Sequence, residues 1–213
     1  CCSDTIRRAE SAVLVAAAAG SSWVMDTAMI GTTLRARLKN VATAPWRRRG
    51  GVPFGETLAG FDDLLQAGKI RGFGVSNLDL KDLGEWLGLS HADKTLVNQV
   101  QYSIGERGID FDLLPWCRER RIALMAYCPL AQGSLPDSAV LARIAKRHKA
   151  TAAQIMLAWV MRHEHMIAIP KSARPERVRE NAKAADIVLS AEDLMELDRD
   201  FPPPRKPQPL AMT

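Results

Sequence analysis

The chain has little of what several function classes require. Its 213 residues include four cysteines, at positions 1, 2, 117 and 128, and none forms a Cys-x-x-Cys pair. That spacing supplies neither a disulfide framework nor a thiolate metal site, and it matches a reducing compartment, so the cytoplasm is the expected location. No apolar run approaches the ~18 residues that a membrane-spanning helix needs, so no membrane partner is expected. Arg7-Arg8 followed by the apolar stretch 12–19 has the order of a signal peptide, but the stretch is short and Glu10 interrupts the approach to it. No Gly-x-Gly-x-x-Gly turn is present, which removes the usual fingerprint of an open dinucleotide-binding sheet. Basic residues exceed acidic ones by five, with a pI of about 9.2, yet they are scattered. The densest cluster, Arg47-Arg48-Arg49, reads as a solvated loop, and no nucleic-acid partner is expected. Tyrosine is scarce: Tyr102 and Tyr127 are the only two.

What is there begins at about residue 51. Glu56–Gln66 carries a helical apolar stripe, with Gly68 as its terminator. Ile70–Val75 reads as a strand, Leu80–Leu89 as a helix, Leu96–Tyr102 as a strand and Phe111–Arg121 as a helix. Ile122–Tyr127 is apolar throughout, as a strand buried on both faces must be. Two helices follow, 139–148 and 152–162, the second behind the capping box Thr151-x-x-Gln154. Met166–Ile169 is the next strand. Pro175 suits the first position of a helix ending near Ala185, and Ser190-x-x-Asp193 opens the last helix. The segment 201–213 is a Pro-rich tail.

Four successive strand-helix units imply parallel strands with right-handed crossovers. Polar residues inside a strand (Asn98, Gln99, Gln101) favour a barrel whose interior meets a ligand over an open sheet. A full (β/α)8 barrel takes ~250 residues. The expected fold is therefore α/β, a partial (β/α)8 TIM barrel of about four units over 51–200. Residues 1–50 show no legible strand-helix alternation and form an irregular leader.

Two groups of residues suit the two ends of a dinucleotide. Ser76 and Asn77 follow one strand and Gln99 lies in the next, offering neutral hydrogen-bonding groups. Lys171 and Ser172 precede a helix N-terminus, where free N–H groups and the dipole favour an anion. Arg177, Glu180 and Asn181 share one face of that helix. Two cations and a hydroxyl suit a dianionic phosphate, which points to NADP rather than NAD. Each residue alone also has a plainer reading: Ser76-Asn77 as a helix cap, Gln99 as an interior amide, Tyr127 as core packing, Lys171 and Arg177 as surface charges. His163-Glu164-His165 reads as an exposed loop rather than a metal site, and His91 and His148 have no recognisable partners.

Gly74-Val75-Ser76-Asn77, Asn98-Gln99, Ala126-Tyr127-Cys128-Pro129-Leu130 and Ile169-Pro170-Lys171-Ser172 with Arg177, Glu180 and Asn181 occur in the order found in aldo-keto reductases. Residues 51–200 resemble the C-terminal half of such an enzyme. The resemblance implies an NADP-dependent oxidoreductase that reduces aldehydes or ketones, with a small carbonyl compound as substrate. It implies that Ser76, Asn77 and Gln99 hold the nicotinamide carboxamide and that Tyr127 lies against the ring. Cys128 and Leu130 would line the pyrophosphate path. Lys171, Ser172 and Arg177 would take the ribose phosphate, and Glu180 and Asn181 the adenine end.

The first half of such a barrel supplies a proton-donating tyrosine, a lysine, a histidine and an aspartate. Met25-Asp26-Thr27-Ala28 resembles the aspartate motif, which makes Asp26 the candidate. Ile30, Gly31 and Thr32 stand where the tyrosine is expected, Pro45 where the histidine is expected, and Lys39 is the candidate lysine with no supporting neighbours. The expectation is a truncated or out-of-frame first half. Three outcomes stay open: a reductase, a non-catalytic NADP-binding relative, or an inactive fragment. A monomer is expected, or self-association through unpaired sheet edges.

Overall fold

A computed structural model describes residues 52–212 together with the backbone of the strands Ala12–Val13 and Val41–Pro45. The strands are β1 (Ala12–Val13), β2 (Val41–Pro45), β3 (Gly72–Ser76), β4 (Thr95–Gln101), β5 (Ala123–Tyr127) and β6 (Met166–Ala168). They form one six-stranded sheet in the order β1-β6-β5-β4-β3-β2, and every neighbouring pair is parallel. The helices are α1 (Phe54–Gln66), α2 (Leu80–Leu87), α3 (Leu113–Glu119), α4 (Ala139–Arg147), α5 (Ala152–Val160), α6 (Pro175–Lys183) and α7 (Ala191–Asp200). The alternation from α1 onward is that of a partial (β/α)8 barrel. β2 lies within the stretch whose sequence shows no alternation, yet it pairs with β3 over five residues. Among the described residues no helix is long and apolar enough to cross a membrane.

The caps explain where helices start and stop. Thr151 and Ser190 both close capping boxes, with Gln154 and Asp193. After α1, Gly68 takes φ +66, and its N–H reaches the carbonyl of Leu65 while the N–H of Lys69 reaches Leu64, a Schellman ending that a Cβ would strain.

The two faces of the sheet differ. Phe73, Val75, Val100, Tyr102, Leu124, Ala126, Met166 and Ala168 join the core packed against the helices. Val97, Met125 and Ile167 are fully buried but outside that cluster, on the face turned to the barrel interior. Since side chains alternate along a strand, Gly74, Ser76, Gln99, Gln101 and Tyr127 share this interior face. The register agrees: Ser76 pairs with Gln99, Gln99 with Met125, and Gln101 with Tyr127. Asn98 is the correction. It lies on the helix-facing side, is fully buried, and clamps the backbone of Leu78: its Nδ2 donates to Leu78 O at 2.8 Å and its Oδ1 accepts from Leu78 N at 3.5 Å. It shapes the loop after β3 instead of meeting a ligand in the interior.

Candidate cofactor site

The first group of candidate residues gathers at the C-terminal ends of β3, β4 and β5. Ser76 Oγ donates to the carbonyl of Gln99 at 3.0 Å, and the N–H of Asn77 reaches the same oxygen at 2.8 Å. These bonds tie the end of β3 to β4 and turn Asn77 into a left-handed conformation, φ 56, that asparagine tolerates better than most residues. Asn77 is then within reach of Tyr127, whose single hydroxyl proton faces Asn77 Oδ1 at 3.2 Å, with the carbonyl of Ala211 at 3.4 Å as the competing acceptor. The cap of α2 is not Ser76 or Asn77 but Asp79, which accepts from the N–H of Asp82. The helix-cap alternative for the Ser-Asn pair is thereby removed.

The second group lines one cavity of about 810 Å³. Cys128, Leu130, Lys171, Ser172, Arg177, Glu180 and Asn181 all contribute to its wall. Seven residues spread over 54 positions of chain converge because β5 and β6 run side by side and each hands over to its loop at the same rim. The start of α5 (Thr151, Ala152, Ala153) closes another side. Gln154 Nε2 donates to the carbonyl of Glu180 at 2.9 Å and so fixes α5 to α6 across the cavity. Asn181 is buried at 5% exposure, whereas Lys171, Arg177 and Glu180 are exposed.

The wall is electrostatically incomplete. Among the described residues no carboxylate pairs with Lys171, Arg174 or Arg177. The N-cap of α6, Arg174, makes no side-chain capping bond, so the first N–H groups of the helix lack a side-chain acceptor. Unpaired cations beside an uncapped helix start are chemically suited to an anion. The interior group offers only neutral amides and hydroxyls. The donor set thus fits a long ligand with an anionic end and a neutral polar end.

The remaining candidates fall elsewhere. Asp26 and Lys39 lie outside the described residues. Tyr102 is fully buried on the helix-facing side, stacked on Trp159, with its hydroxyl donating to Asp110 at 2.6 Å and accepting from Arg162 at 2.9 Å. Burial, opposed in part by Arg162, pushes its ionisation far above the usual tyrosine range. His163 is half-buried instead of exposed, and burial with the neighbouring Arg162 charge pushes it down to about 4. His165 is half-buried as well. His91 and His148 both have partners, Asp62 at 2.6 Å and Asp193 at 2.8 Å. Sequence reasoning missed Arg174 as part of the cavity wall; its position before Pro175, the first helical residue, was the available signal. It also left Gln101 without a role, although its Oε1 is buried without a hydrogen-bond partner.

A model of the aldo/keto reductase family matches residues 42–199. The chain belongs to the aldo/keto reductase family. It is 42% identical over 168 residues to the methylglyoxal reductase YeaE of Escherichia coli (strain K12), covering 76% of this chain and 59% of that protein. It is 38% identical over 143 residues to the glyoxal reductase of Bacillus subtilis (strain 168), covering 67% and 50%. The structure of an aldo-keto reductase from Klebsiella pneumoniae in complex with NADPH superposes with a TM-score of 0.78 at 42% identity, over 83% of this chain and 63% of that one. The chain therefore spans about half to three-fifths of the length of these relatives. The family match begins inside β2, so this strand belongs to the matched region together with 51–199.

Proposed function

We propose that this chain binds NADP(H) across the rim of its partial barrel and serves the reduction of small aldehydes and ketones in the cytoplasm, 2-oxoaldehydes of the methylglyoxal kind among them. The observation that carries the reading is the convergence of Lys171, Ser172, Arg177, Glu180 and Asn181 in one cavity whose wall includes Cys128, the residue after Tyr127. The named activity of the two bacterial reductases and the NADPH in the Klebsiella structure support it.

When bound, the cofactor supplies a hydride to a carbonyl carbon. The chain's own residues would hold and orient it. Lys171 and Arg177 neutralise the ribose phosphate, with the start of α6 as a further donor surface. Asn181, held in the buried wall, orients the adenine end. Ser76, Asn77 and Gln99 present neutral groups to the carboxamide, and the ring of Tyr127 covers one face of the nicotinamide, which leaves the other face for the substrate.

A second reading, cofactor binding without turnover, rests on one observation. Both tyrosines of the sequence are already engaged, Tyr127 at the cofactor rim and Tyr102 in the buried cluster with Asp110 and Arg162. Neither is placed as a free proton donor beside a carbonyl. Fluorescence titration with NADPH, followed by a turnover assay on methylglyoxal, tests both readings. Saturable binding with oxidation of NADPH supports the reductase. Binding without oxidation supports the second reading, and no binding of NADPH removes both.

A further inference from the structure

The Pro-rich segment 201–212 has no helix or strand, yet it is fastened near both ends. At its start, Arg107 donates to the carbonyl of Phe201. Arg107 is itself only 8% exposed and bonded to Asp110 and Asp198, so this anchor belongs to the buried body of the fold. Further on, Leu210 packs against the core, and the next residue, Ala211, brings its carbonyl to 3.4 Å from the Tyr127 hydroxyl. Between the anchors Arg205, Lys206, Pro207, Gln208 and Pro209 are exposed. The geometry points to a positioning role: Leu210 docks the segment so that the Ala211 carbonyl helps to hold the Tyr127 hydroxyl, and through it the ring that would lie against the nicotinamide. This rests on the cofactor reading above and adds residues that belong neither to the motifs nor to the cavity wall.

The physical case starts from the ring. The first side-chain torsion of a tyrosine has three staggered wells, and a hydroxyl fixed at the tip selects one of them. Asn77 comes from the loop after β3 and Ala211 from the segment after α7, so two separate stretches of chain flank one hydroxyl. That hydroxyl has one proton and makes one donation at a time; the second acceptor keeps it paired when the first moves. A ring already held in place loses less freedom when a cofactor stacks on it, so the anchored segment raises affinity with no contact of its own to the dinucleotide required. Ordering an irregular segment costs backbone entropy, and the bond from Arg107 and the packing of Leu210 offset that cost.

The test pairs tryptic nicking with equilibrium binding, so it does not depend on turnover. The bond between Arg205 and Lys206 is exposed and lies between the anchors. Without cofactor, Tyr127→Phe should raise its cleavage rate about threefold, because the segment then loses a hydrogen bond near its end. An unchanged rate overturns the contact, whatever NADPH does. NADPH is then titrated into Leu210→Asn, which undocks the segment without adding a charge, and Leu210→Met, which keeps the apolar contact; thermal melts confirm that both fold. Leu210→Asn should weaken NADPH about threefold alone, and less than about 1.5-fold further when combined with Tyr127→Phe, which has no hydroxyl to hold. Leu210→Met should bind like wild type. Equal losses in both backgrounds would make the segment a cover over the site and overturn the positioning role, as would no loss in either. A wild-type chain that binds no NADPH, with nicking still raised by Tyr127→Phe, overturns the cofactor reading and the role with it, but not the contact.

Discussion

The phenol of Tyr127 donates to the side-chain oxygen of Asn77 at 3.2 Å, across 50 residues of sequence. The bond joins the residue that would cover the nicotinamide ring to the one that would hold its carboxamide. It fixes the Asn77 amide so that the oxygen is occupied and the nitrogen is left to donate. Tyr127→Phe should therefore weaken NADPH by about fivefold, the worth of ~1 kcal/mol for one hydrogen bond. Tyr127→Ala, which also removes the ring, should weaken it more than about tenfold. The check is a fluorescence titration of both variants; a phenylalanine variant as weak as the alanine one would mean that the ring contributes nothing.

Tyr102 gives the opposite expectation. Its hydroxyl is locked between Asp110 and Arg162, and its ring stacks on Trp159, itself capped by the Arg162 guanidinium at 3.6 Å. Tyr102→Phe leaves Asp110 and Arg162 short of one partner and should lower stability by about 1–3 kcal/mol in urea unfolding. NADPH affinity should stay within about twofold of wild type, because the residue faces the helices and not the barrel interior. A loss of any measured turnover without a loss of stability would instead place Tyr102 in the chemistry.

Local signals were legible where a few neighbouring residues decide the outcome. Gly68, the capping boxes at Thr151 and Ser190, and Pro175 all mark helix ends correctly, because each acts on backbone groups within a few positions. The motif residues of the cavity are picked out by their resemblance to aldo-keto reductase motifs, and the strand-helix alternation adds only that their loops share a rim. Asn98 is grouped with Gln99 as interior in the sequence, although neighbours in a strand point to opposite faces; its parity with Val100 and Tyr102, both in the helix-facing core, places it on that side. The partners of His91 and His148 lie 29 and 45 residues away and leave no local trace. Arg174 looks like any surface arginine until the cavity beside it is known. β2 was hidden because a short Val-Ala-Thr-Ala-Pro stretch has little strand signature of its own, and its pairing with β3 supplies the rest.

Gly74 sits at the slip in register of β3 against β4, where the two strands approach too closely for a side chain. A Cβ there would lie 2.4 Å from Val97 Cγ1 and 2.6 Å from the carbonyl oxygen of Val97. The side chain could turn away but the carbonyl belongs to β4 and cannot. Gly74→Ala should therefore push β3 from β4 and cost about 1–3 kcal/mol. Because Ser76 and Asn77 hang on the Gln99 carbonyl two residues further on, NADPH affinity should fall with stability. Gly60→Ala, in α1 with nothing near its Cβ position, is the control and should not destabilise. Urea midpoints of the two variants decide the matter: similar midpoints would show that β3 and β4 can move apart freely.

One buried carboxylate joins the start of the last helix to α4. Asp193, 1% exposed, closes the capping box with Ser190, pairs with Arg147 and accepts from His148 at 2.8 Å, tying α7 to α4. Burial raises its ionisation, but the bonds from His148, Ser190 and Arg147 outweigh that and bring it down to about 2, below the usual 3.8. A carboxylate whose value is depressed in the folded state contributes stability above its unfolded value. That stability is lost as the pH falls through the window from the unfolded value to the folded one, between about 4 and 2. The depression corresponds to roughly 2 kcal/mol at neutral pH. Asp193→Asn, which cannot ionise, should be less stable than wild type by about that amount at pH 7, and the gap should close as the pH approaches 2. Urea unfolding of both chains between pH 7 and pH 2.5 measures it. A gap that stays constant through this range would mean that the latch works by hydrogen-bond geometry alone, without the charge.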